Sequence, residues 1–110
     1  MSKKIKNISI SKDYSISPGG RHKTDGPYSG EDFRESVLVP LTHQYDLIRI
    51  DLSGTSGYGS SFLEEAFGGL VRVLRRDIKG IVEIYVSDDT DNSYLIETNA
   101  YINEALKDIK

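Results

Sequence analysis

Ser60 and Ser61 are the side chains best placed to do chemistry in this sequence. They end the glycine-rich turn inside IDLSGTSGYGSSFLEEAFGGL, residues 50–70. A hydroxyl at a helix start meets exposed backbone N–H groups and the positive end of the helix dipole. Phosphate is favoured there, whether bound or covalently attached. Ser61 and Glu64 have capping-box spacing, which leaves Ser60, just outside, as the phosphoacceptor candidate. Gly57 and Gly59 allow the backbone to approach an anion or a partner closely. The plain alternative is that the serines only cap the helix and the glycines only turn the chain. The spacing is not a P-loop, since no Gly-Lys-Ser/Thr follows. It is not a dinucleotide fingerprint either, since the third glycine is missing.

The second segment with chemistry is PGGRHKTDGPYSGEDFRE, residues 18–35. Its candidate binding residues are Arg21, Asp25, Tyr28, Ser29 and Arg34. Loops this long are usually functional or disordered. One reading is a surface loop built from turn residues. The other is a lid over the carboxyl edge of a sheet, where α/β folds hold ligands. Arg21 or Arg34 then brings a bidentate cation to the turn 57–61, and Tyr58 contacts the lid or a partner. Ser29 is also a candidate cap for the helix that follows. A hydrolase triad of His22, Ser60 and Asp51 fails because GSSFL breaks the nucleophile-elbow pattern at Phe62. Asp88, Asp89 and Asp91 lack the glycine and terminal glutamate of a calcium loop. They read as a solvated turn that caps the last helix. No catalytic residue, metal site or cofactor is expected.

These residues need a scaffold, and 110 residues suit one domain, 1–110, with a core from about 5 to 109. The net charge of -3 gives no electrostatic reason to expect nucleic acid or an anionic membrane as partner. The absence of cysteine excludes disulfides, thiol catalysis and cysteine-ligated metals. The basic start MSKKIK leads into no apolar run, and no stretch is long enough to span a bilayer. The chain therefore reads as cytoplasmic.

Hydrophobic periodicity predicts strands over residues 5–11, 47–52 and 81–87. Helices are expected over 31–39, ended by Pro40, over 62–76, and over 92–108. A fourth strand is a candidate near 14–17. Strand–helix alternation implies an α/β layer with a mixed, mainly parallel sheet. Each strand has one apolar and one polar face, so the helices are expected largely on one side. Gly68 and Gly69, inside the second helix, cost about 1 kcal/mol each relative to alanine. They imply a close contact with a backbone, a partner or the long loop.

Asp51-Leu-Ser-Gly, followed by Ser60-Ser61 before an amphipathic helix, resembles the core of the STAS domain of anti-sigma-factor antagonists. Regulatory members carry Asp-Ser-Ser-Gly there, and a partner kinase phosphorylates the first serine. Ser60 aligns with that phosphoacceptor, Gly59 replaces the aspartate and Phe62 replaces the glycine. PGGR, DGPYSGE, FRE and GYGSSFLEEAFGGL resemble more closely a divergent branch, the STAS-like domains of unknown function, over about residues 8–87. The resemblance implies a non-enzymatic interaction module. It implies a protein partner with a histidine-kinase-like ATPase fold and a switch by phosphate on Ser60. An anion- or nucleotide-binding domain using turn 57–61 and loop 19–30 is the alternative, and a homo-oligomer is a further candidate.

Overall fold

The computed structural model describes residues 3–87 and 92–109. The aspartates at 88, 89 and 91 lie outside the described residues. Three strands, β1 (Ile5–Ser9), β2 (Leu47–Asp51) and β3 (Val82–Tyr85), form one sheet in the order β1-β2-β3. Both pairings are parallel, with Ile8 opposite Ile50 and Ile50 opposite Ile84. Sequential parallel strands need crossovers that turn the same way. That places both crossover helices on one face.

The crossover helices share one build. Each begins as one α-helical turn, widens to a π-helical segment and returns to α. Helix α2 spans 30–42, with π-helical geometry over Arg34–Leu38. Helix α3 spans 60–74, with π-helical geometry over Glu64–Gly68. Before them, α1 (Ile10–Asp13) is a single turn, and Lys23–Asp25 forms a 3₁₀ turn. The last helix, α4 (Ser93–Asp108), packs along α3.

Alternation along the strands explains the layering. Ile8, Ile48, Ile50, Leu52 and Val82 face the helices and are buried. Phe33 of α2 and Phe62 and Phe67 of α3 are fully buried against them, with ring centroids about 6 Å apart. Among the described residues no helix covers the opposite face. Its central row is Asn7, Arg49 and Glu83, joined by an Arg49–Glu83 ion pair of 2.6 Å. The expected helix layer on one side is present, and the sheet is wholly parallel.

Several boundaries differ from those read in the sequence. The first strand ends at Ser9, because the Ser9 hydroxyl caps α1 by accepting from Lys12 N–H. Residues 14–17 form no strand; instead the Ile16 carbonyl accepts from Ser56 N–H at 2.7 Å. Helix α2 runs through Pro40 rather than stopping at Val39. The preceding π-helical turn sends the Val39 N–H to the Arg34 carbonyl, and this wider turn relieves the clash a proline makes in an α-helix. Helix α3 ends earlier than expected, with Arg75 left-handed at φ 55.

Candidate functional site

The carboxyl ends of the strands are tied together by Asp51. Its Oδ1 accepts the N–H of Ser53 at 2.9 Å and of Ser87 at 3.2 Å, so it links the ends of β2 and β3. Burial acts to raise its pKa, but the hydrogen bonds from Ser87 and Ser53 outweigh it and hold the group below the usual carboxylate range. Asp51 is thus a clamp at the base of the turn.

The turn leaves this clamp and folds Tyr58 inward. Gly57 has φ 134, a conformation open to glycine, and the Tyr58 ring then packs between Phe62 and Tyr94. Its hydroxyl donates to the Leu52 carbonyl at 2.7 Å, and burial pushes its pKa up to about 12. Tyr58 is buried, which corrects the expectation of a lid or partner contact.

Beyond Tyr58 the chain surfaces. Gly59, Ser60 and Ser61 are all exposed. Helix α3 begins at Ser60, with Gly59 as its N-cap and no side-chain cap. The expected Ser61–Glu64 capping box is absent, because arginines engage the Glu64 carboxylate. Arg72 donates to it at 2.7 Å and Arg21 at 2.6 Å. Ser60 and Glu64 lie one helical turn apart, and the Tyr101 hydroxyl of α4 sits beside both.

The loop before α2 therefore docks on the side of α3. Arg21 is shared between Glu64 and Glu65, and Arg34 pairs with Glu65 from the buried side. Neither arginine faces the turn 57–61 as a free cation. Two glycines permit this contact. A Cβ on Gly30 would lie 2.5 Å from the Phe62 carbonyl oxygen, and one on Gly69 would lie 2.5 Å from Arg34 Nη1. The close contact expected at Gly68 and Gly69 is thus with charged side chains; a Cβ on Gly68 would lie 2.8 Å from Glu64 Oε2 and 3.3 Å from Arg72 Nη1.

The remaining loop candidates hold the loop itself. Asp25 accepts the N–H groups of Arg21 and His22. Ser29 is fully buried as the N-cap of α2, accepting from Asp32 N–H at 3.1 Å. Tyr28 is exposed and stands edge-on to Tyr14. Sequence reasoning passed over Tyr14, whose hydroxyl donates to Asp32 at 2.6 Å. Its signal was weak, one aromatic in a polar stretch. The surface made by these elements is Ser60 and Ser61 at its tip, flanked by the Arg21–Glu64–Arg72 array.

Residues 29–85, just over half of the chain, match the profile of a family described as the STAS-like domain of unknown function (DUF4325). No curated protein and no solved structure matches.

Proposed function

The chain belongs to the STAS-like domain family, and from that premise we propose that it is a non-enzymatic cytoplasmic interaction module that docks a histidine-kinase-like ATPase. The docking surface is the tip of α3 with its flanking loop, and the switch is a phosphoryl group on Ser60. The observation that carries this reading is the exposure of Ser60 at the first position of α3, two residues after Tyr58 anchors the turn in the core. A phosphate there adds about -1.5 to -2 charges at a helix start, where the dipole favours it. The kinase supplies the reaction. The Ser60 oxygen bonds the γ-phosphorus of ATP, the bond to the β-phosphate oxygen breaks, ADP leaves, and the serine proton passes to the kinase's base.

The nucleotide-binding alternative needed a cation facing the turn. Arg21 and Arg34 are both engaged by glutamates, so nothing in the site favours it. Incubation with a histidine-kinase-like ATPase from the same host, with and without ATP, tests the proposal. A complex that forms with unmodified protein and dissociates on Ser60 phosphorylation is the expected result.

A further inference from the structure

The outer side of β1 pairs with no strand among the described residues. Backbone polar groups alternate from side to side along a strand. Lys4 turns its carbonyl toward β2, accepting from Leu47 N–H at 3.2 Å. Ser9 faces the other way and donates its N–H to the Asp13 carboxylate at 2.7 Å. The same alternation places the N–H and C=O of Ile5 and Asn7 on the outer edge.

A trough follows this edge. One cleft of ≈ 410 Å³ lies between Lys6 and Ile8 of β1 and Val37, Pro40 and Leu41 of α2. Gln44 belongs both to it and to a second cleft, which continues along Lys4, Ile5 and Tyr45. An edge strand facing a helix across a trough of mixed lining, with Val37, Pro40 and Leu41 beside Ser36 and Gln44 on the helix side, suits strand addition. Main-chain bonds then hold the segment, and alternate side chains fill the trough.

Charge defines the occupant. Lys4 and Lys6 are exposed and make no ion pair among the described residues. The acids at the two ends are both held by backbone N–H groups, Asp13 by Ser9 and Asp46 by Lys4. We propose that the outer edge of β1 docks an extended acidic segment of a partner protein as a fourth strand. Its trough-facing row alternates an apolar residue, set against Val37 and Leu41, with an acidic one facing Lys6. This surface is separate from Ser60 and independent of the switch.

The probe is a synthetic peptide repeating valine, threonine, glutamate and threonine; a second peptide with lysine for glutamate is the control. Amide NMR should show shifts at Ile5, Asn7, Val37 and Leu41. Exchange at the Ile5 and Asn7 amides should slow at least ~10-fold. The lysine peptide should bind at least ~10-fold more weakly, and Lys6→Glu should reverse that preference. Asn7→Pro removes an outward N–H at an edge position that tolerates proline, so it should abolish binding. The proposal is overturned if the glutamate peptide moves no shifts or moves them elsewhere. It is also overturned if Asn7→Pro folds and binds undiminished, or if Lys6→Glu leaves the preference unchanged. Protection of these amides that grows with protein concentration alone means a second copy occupies the edge, and it overturns the proposal as well.

Discussion

Arg21, in the loop before α2, donates to the Glu64 carboxylate on α3 at 2.6 Å. This contact joins the two glycine-rich segments of the sequence into one surface. Arg21 is about one-third exposed, so its ion pairs are partly screened. Arg21→Ala should cost about 1 kcal/mol in urea unfolding. It should also speed exchange of the Gly30 and Glu31 amides, which donate to the Gly20 and Arg21 carbonyls. Unchanged exchange there would mean the loop is held by other contacts.

Arg34 lies over Gly69 and pairs with Glu65 in a largely buried position. Arg34→Ala removes the buried partner of Glu65, leaving it the more exposed Arg21, and should cost about 2 kcal/mol. Gly69→Ala should destabilise, because the new methyl displaces the guanidinium. In an Arg34→Ala background the same change should become neutral or stabilising, since alanine gains about 1 kcal/mol of helix propensity over glycine. A double-mutant cycle by chemical denaturation reads this coupling, and additive effects would exclude it.

The legible and illegible parts of this chain separate on physical grounds. Period-two alternation at Ile48, Ile50 and Leu52 located β2, because one buried face imposes it. Helical spacing in Leu63, Ala66, Phe67, Leu70 and Val71 located α3 for the same reason. Pro40 misled, because a local rule about α-helices does not foresee a π-helical turn. Ser61 misled, because Glu64 is engaged by Arg21 from the distant loop and by Arg72 further along α3, and the capping rule reports neither. Tyr58 looked exposed between two glycines, yet those glycines let the chain turn it inward.

Acid should weaken the fold through the same arginine array. Hydrogen bonds from Arg72 and Arg21 hold the Glu64 carboxylate below its usual range. For Glu65, burial acts upward, and the bonds from Arg34 and Arg21 outweigh it. A carboxylate with a depressed folded pKa contributes stability above its unfolded pKa and loses it as pH falls through the folded value. Stability should therefore be flat near neutrality and fall below about pH 4.5. Glu65→Gln should make the acid limb shallower in a pH series of thermal melts; an unchanged slope would contradict the assignment.

Tyr58→Phe tests the buried role of that residue. Losing the bond to the Leu52 carbonyl should cost about 1 kcal/mol, with partner binding unchanged. Weaker partner binding at unchanged stability would return Tyr58 to the interface.

Mass spectrometry of the phosphorylated protein tests the switch most directly. After incubation with ATP and a histidine-kinase-like ATPase from the same host, one phosphate should appear, on Ser60. Ser60→Ala should accept none while its stability stays within about 0.5 kcal/mol of wild type. No phosphate on Ser60, or equal incorporation into a folded Ser60→Ala variant, would contradict the account.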